Sequence, residues 1–148
     1  MAVTFQFFPV FIIQKRKVNL LEKIIKTAVI RIPSTVRESF RSNFPETRNI
    51  EWSRIKGLYE VIFYHEGREK IARFDPEGTL LEYRINIQLE TISPSVREKA
   101  SQEGEIMNCI EFHSVDTIRY EFIVRDVKLT RYLLLTDMSG NKIRKEKL

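Results

Sequence analysis

The sequence predicts an α+β fold in which two helix-plus-four-strand antiparallel repeats form one sheet with the helices on one face. Three observations lead there. A pattern recurs at an offset drifting from 60 (Ile32 over Ile92) to 62 (Phe74 over Thr136), each copy opens on a proline-led stretch of helical periodicity, and each then changes to strict alternation.

Along the chain, residues 1–31 form an N-terminal extension, followed by a domain over 32–148 made of repeat 32–91 and repeat 92–148. In the extension Leu20, Leu21, Ile24, Ile25, Ala28 and Val29 fall on one helical face, opposite Asn19, Lys23, Lys26 and Thr27. That is a basic amphipathic helix. Docking on the chain's own sheet is the expectation, and contact of residues 18–31 with an anionic membrane surface is the alternative.

The repeats align as IPSTVRESF over ISPSVREKA, NIEW over CIEF, YEVIF over YEFIV, and FDPEG over TDMSG. Pro33 and Pro94 suit a first helical turn, where a missing N–H costs nothing. Thr35-x-x-Glu38 and Ser95-x-x-Glu98 have capping-box spacing. Val36, Phe40 and Phe44 recur every four residues as the apolar stripe of the first helix, which Pro45 stops. Period two then takes over: Tyr59, Val61 and Phe63 alternate with Glu60, Ile62 and Tyr64, and Leu81, Tyr83, Ile85 and Ile87 alternate with Glu82, Arg84, Asn86 and Gln88. Lys56-Gly57, Glu66-Gly67 and Asp75-Pro76-Glu77-Gly78 read as hairpin turns, so the strands they join are antiparallel neighbours.

The acid-rich stretch FDPEGTLLEYR is a turn by the same chemistry. Proline presets one dihedral, Gly78 accepts a positive φ, and Asp75 bonds its own backbone. The partner segment TDMSG keeps Asp137 and Gly140 but lacks the second acid, and neither copy has the ligand spacing of a calcium loop.

Composition excludes several functions. At 148 residues, 43% hydrophobic and 30% charged, the chain is one ordinary globular domain. The net charge of +5 resides in residues 1–31, where six basic residues face Glu22 alone; the remaining 19 basic and 19 acidic residues cancel. No basic face for nucleic acid is expected. The apolar run TFQFFPVFII (residues 4–13) is too short to span a bilayer and has its basic cluster after it, the wrong order for a secretory signal.

Cys109 is the only cysteine, so no intrachain disulfide forms. Cys109-x-Glu111-x-His113 puts three potential ligands on one strand face, but this is half a zinc site, and neither a metal nor a cofactor is expected. A thiol hydrolase built on Cys109 and His113 meets a spacing of about 13 Å along a strand, so no catalytic residue is assigned. Trp52, Tyr59 and Tyr120 read as core aromatics at equivalent strand positions. With Tyr59, Val61 and Phe63 under a helix, the uncovered side of the sheet carries Glu60, Ile62, Tyr64, Arg73, Glu82, Arg84, Glu121, Ile123 and Arg125. Both charge signs with a few apolar side chains suit protein recognition, and these nine are the candidate binding residues.

The ordered set IPSTVRESFRSNFPETRNIEW, LYEVIFYHEGREKIARFDPEGTLLEYRINIQ and the shorter copy ending TDMSGNKIRKEK resembles the beta-lactamase-inhibitor-like, PepSY-like family over about residues 32–147. The resemblance implies small bacterial proteins of the periplasm or envelope, without catalytic residues or cofactor, and an antiparallel sheet with helices on one face. Residues 1–31 depart from that pattern. The expected function is a non-enzymatic protein-binding module, an inhibitor or sensor of an envelope or secreted protein. A structural or assembly protein is the alternative, and a small thiol hydrolase ranks below both.

Overall fold

The computed structural model describes residues 30–148, so the amphipathic helix expected within 1–31 lies outside the described residues. The chain runs α1 (Ser34–Asn43), β1 (Arg48–Ile55), β2 (Leu58–His65), β3 (Arg68–Phe74) and β4 (Leu80–Ile87). A 3-10 turn at Leu89–Thr91 leads to α2 (Pro94–Ser101), β5 (Glu105–Ser114), β6 (Ile118–Arg125), β7 (Arg131–Thr136) and β8 (Lys142–Lys147). Each strand pairs antiparallel with the next, giving one eight-stranded sheet in the order β1 to β8. Among the described residues no helix is long and apolar enough to cross a membrane.

Turn chemistry produces this meander. Lys56 and Gly57 have φ of 50° and 85°, and Glu66 and Gly67 have 53° and 73°. Positive φ at both central residues makes the two-residue hairpin whose twist matches its strands. Asp75 organises the β3–β4 turn: its Oδ1 accepts the Thr79 N–H at 2.7 Å, and its carbonyl accepts the Gly78 N–H at 3.1 Å. At the β7–β8 turn Asp137 takes the N–H of Asn141 on Oδ1 at 2.9 Å and that of Gly140 on its carbonyl at 3.1 Å. Both carboxylates thus serve their own backbone, in keeping with the turn reading. Gly78 has φ +94°, and a Cβ there would stand 2.8 Å from the Thr35 carbonyl oxygen, so the turn packs directly on the first turn of α1.

Register places both helices on one face. Tyr59, Val61 and Phe63 stand opposite Phe74, Ala72 and Lys70; Lys70 and Ala72 stand opposite Ile85 and Tyr83; Ile87 stands opposite Cys109, and Cys109 opposite Phe122. Val36 and Phe40 of α1 pack on Tyr59, Val61, Phe63, Ala72 and Phe74. Val96 and Ala100 of α2 pack on Ile85, Ile87, Cys109, Phe122, Val124 and Leu134. The valine, leucine, isoleucine and phenylalanine side chains among these, fully buried, contribute about 1.5–3 kcal/mol each. Lys70 is the exception in this layer: 6% exposed, it directs Nζ to His65 Nδ1 at 2.8 Å and donates to Glu66 at 3.1 Å.

Two local expectations are corrected. Neither helix has a side-chain cap: Pro33 and Ser93 hold the N-cap positions, which puts Thr35 and Ser95 inside the first turn, where their hydroxyls cannot act as caps. Trp52 and Phe112, matched by aligning NIEW with CIEF, face opposite ways. Trp52 pairs with Val61 and meets Phe40 edge-on at 5.3 Å, whereas Phe112 pairs with Arg84 and Arg119 on the far face. Trp52 lies seven residues before Tyr59 across the two-residue Lys56-Gly57 turn, whereas Phe112 lies eight before Tyr120 across the longer turn 114–117, and that single extra residue reverses facing.

Candidate functional site

The face away from the helices carries a row of alternating charge. Glu60, Arg73 and Glu82 are direct cross-strand partners on β2, β3 and β4. Arg73 Nε donates to Glu60 Oε2 at 2.7 Å, and its Nη1 donates to Glu82 Oε1 at 3.1 Å. Arg84, two residues along β4, donates to the same Glu82 oxygen at 2.6 Å. Its guanidinium then lies 4.7 Å from the centre of the Phe112 ring on β5 and reaches Glu121 Oε2 on β6 at 3.5 Å. Arg119 approaches the same ring at 4.8 Å. Strand pairing makes the row, because register partners on one face stand about 4.5–5.5 Å apart and alternate in sign.

The nine residues expected on this face divide. Glu60, Arg73, Glu82 and Arg84 form the row, and Ile62 and Tyr64 flank it on β2, with Tyr64 43% exposed. Glu121 and Ile123 share the face but are 5% and 3% exposed, so they present little surface to a partner. Arg125 lies at the end of β6, where Nη2 and Nε donate to Glu105 at 2.6 and 3.0 Å, apart from the row. Sequence reasoning missed Phe112, Arg119 and Ile71. The alignment of NIEW with CIEF matches Phe112 to Trp52, and the one extra residue before Tyr120 that reverses its facing shows in the sequence only as a drift of the repeat offset.

The cysteine row is a different environment. Cys109, Glu111 and His113 do share one face, the helix side, as the alternation predicts. Cys109 is fully buried, and burial first, with the Glu111 and Glu121 carboxylates second, pushes its thiol far above the ordinary cysteine range. His113 hydrogen-bonds Glu111 through Nε2 and stacks on Tyr83 with ring centres 4.3 Å apart. Burial and then Glu111 likewise raise the Tyr83 phenol. Among the described residues no group of three or more His, Cys, Asp or Glu is placed to hold a metal ion.

Protein-family models and curated proteins give no match to this sequence. Solved structures do. A BLIP-like protein from Bacteroides fragilis superposes with a TM-score of 0.73 at 13% identity, over 84% of this chain and 92% of the other. The chain has a beta-lactamase-inhibitor-like fold. A DUF2874 family protein from Bacteroides uniformis gives 0.71 at 18% identity, over 78% and 88% of the two chains. A protein provisionally described as periplasmic, from Bacteroides eggerthii, gives 0.72 at 17% identity, over 79% and 89%. At these identities the likeness concerns the fold alone.

Proposed function

We propose that the chain is a non-enzymatic protein-binding module that engages an envelope or secreted protein, as inhibitor or sensor, through the β2–β4 half of the helix-free face. The observation that carries this reading is the row Glu60–Arg73–Glu82–Arg84, flanked by Ile62, Ile71 and Tyr64. Pairing holds these side chains in one arrangement before a partner arrives, which lowers the ordering cost of binding. Alternating charge would set the partner's register, and the apolar flanks would supply contact area. The BLIP-like and provisionally periplasmic descriptions of the structural relatives support both the class of function and an envelope location.

We also read 32–91 and 92–148 as two copies of one PepSY-like unit, preceded by the extension 1–31. The common order of one helix and four strands, and the like bonding of Asp75 and Asp137 in their turns, support it. The thiol-hydrolase reading loses ground because a buried, protonated Cys109 is a poor nucleophile. Assembly through β8 is disfavoured by Lys142, Lys145 and Lys147 along that edge.

The test is a pull-down from envelope and cytosolic fractions with the full chain and with the double variant Tyr64→Ala, Ile62→Thr. Arg84 is left intact because its removal would strand the buried Glu121 carboxylate and confuse binding with stability. Specific loss of one captured protein, with matching thermal melts, supports the reading. The same captured set from both forms would remove the β2–β4 face from consideration.

A further inference from the structure

Three turns of this chain share one hydrogen-bond frame. In Asp75–Thr79, Asp126–Thr130 and Asp137–Asn141 the aspartate N–H donates to the carbonyl of the fifth residue, and the fourth residue's N–H donates back to the aspartate carbonyl. The fifth residue's N–H then donates to the aspartate Oδ1. The fourth residue is left-handed in all three, with φ of 94° at Gly78, 63° at Leu129 and 80° at Gly140. Two of these turns use glycine there, and the middle one uses leucine. A bulky side chain is disfavoured at such a φ. Among the described non-glycine residues with positive φ, which are Glu46, Asn49, Lys56, Glu66 and Leu129, it is the only apolar one. Packing within the fold offers little return, since Leu129 is 70% exposed and Val127 in the same turn is 98% exposed. Strain kept at an exposed position points to a use of the side chain outside the chain's own core.

Position and charge define that use. The turn joins β6 to β7, at the end of the sheet opposite the Gly78 and Gly140 turns that pack on the helices. Lys128 lies between the two aliphatics, Arg131 opens β7 opposite Arg125, and Lys147 ends β8 opposite Tyr132. Neither nearby carboxylate answers these three cations. Asp126 is taken up by its own turn and by the Tyr132 hydroxyl at 3.1 Å, and Glu105 by Arg125 at 2.6 Å. Among the described residues Lys128, Arg131 and Lys147 form no ion pair. We propose that the β6–β7 turn is a membrane-surface contact: Val127 and Leu129 enter the boundary between headgroups and acyl chains of an anionic bilayer, and Lys128, Arg131 and Lys147 meet the headgroups. A pocket on a protein fits less well, because lysine is depleted at protein interfaces, whereas anionic lipid recruits Lys and Arg beside an apolar tip. The contact is made at a strand end and leaves the β2–β4 face open, so this inference does not rest on the proposed function.

The test is sedimentation of the full chain with vesicles of phosphatidylcholine alone and of phosphatidylcholine mixed equally with phosphatidylglycerol, beside the variant Val127→Asn, Leu129→Gly. Glycine suits the φ at Leu129, so the variant keeps the turn, and thermal melts check that it does. The full chain is expected to bind the anionic vesicles at least about ten-fold more tightly than the neutral ones, and the variant to lose at least about ten-fold of that binding. Equal binding to the two vesicle types, no binding to either, or equal binding by the two forms of the chain would overturn the proposal. The last outcome would assign the binding to residues 1–31, where the net charge of +5 resides. An environment-sensitive dye on Val127→Cys reads the contact independently of the double variant, with Met138→Cys in the β7–β8 turn as comparator and the buried Cys109 silent. Blue-shifted emission with anionic vesicles at Val127→Cys and not at Met138→Cys supports the proposal. No shift at Val127→Cys, an equal shift at both, or a shift that the protein alone produces as its concentration rises refutes it, the last assigning the tip to a second copy.

Discussion

Replacing Phe40 by alanine tests whether α1 is held by its aromatic contacts with the sheet. Phe40 is 3% exposed, and its ring centre lies 4.9 Å from Phe63, 5.3 Å from Trp52, 5.9 Å from Phe44 and 6.3 Å from Phe74. Truncation removes the ring's transfer free energy and leaves a cavity. Phe63 and Phe74 are anchored in paired strands, so the walls cannot collapse far. Losses for buried Phe→Ala run about 3–5 kcal/mol, and this rigid setting points to about 4. For a chain of this size that lowers Tm by about 8–16 °C. The assay is urea unfolding followed by the fluorescence of Trp52, the only tryptophan and a direct neighbour of the ring. Ala100→Gly is the matched control on α2: the side chain is 1% exposed but small, so helix propensity dominates and about 1 kcal/mol is expected. A loss below about 1 kcal/mol for Phe40→Ala, or equal losses for both variants, would refute the account of the α1 core.

Gly78→Ala should cost about 2 kcal/mol or more in the same assay, since it adds a Cβ at 2.8 Å from a backbone oxygen to a φ of +94°. Gly67→Ala, at φ +73° but in open space, should cost less, and equality of the two would remove the close-approach argument. Cys109 should resist a thiol reagent in native protein and react fully once unfolded; rapid native labelling would contradict its burial and raised thiol. Asp126 is held below the usual aspartate range chiefly by the Thr130 N–H, and Asp137 by the Asn141 side chain and then its N–H. A depressed folded value stabilises above the unfolded pKa of about 3.9 and is lost as pH falls through the folded value. The urea midpoint should therefore fall below about pH 4, and the Asp126→Asn, Asp137→Asn variant should show a shallower acid loss; an unchanged acid slope would rule these two turns out as its source.

What the amino-acid order alone determined was the succession of elements and the side of the sheet that is buried. Helical and strand periods are properties of neighbouring residues, and the Lys56-Gly57 and Glu66-Gly67 turns leave an antiparallel partner as the only outcome. Glu60, Arg73, Glu82 and Arg84 were therefore legible as residues of one face before their contacts were known. Their union into a row needed the register between strands, which sets Arg73 between two carboxylates. Three-dimensional packing also decided what alternation misassigns. One residue more between Phe112 and Tyr120 than between Trp52 and Tyr59 reverses the facing, so Phe112 stands between two arginines on the face opposite Trp52. Burial of Ile123, at the same pleat phase as the exposed candidates, was hidden for a related reason: periodicity reports the direction of a side chain, whereas burial depends on what residues distant in sequence bring to that side.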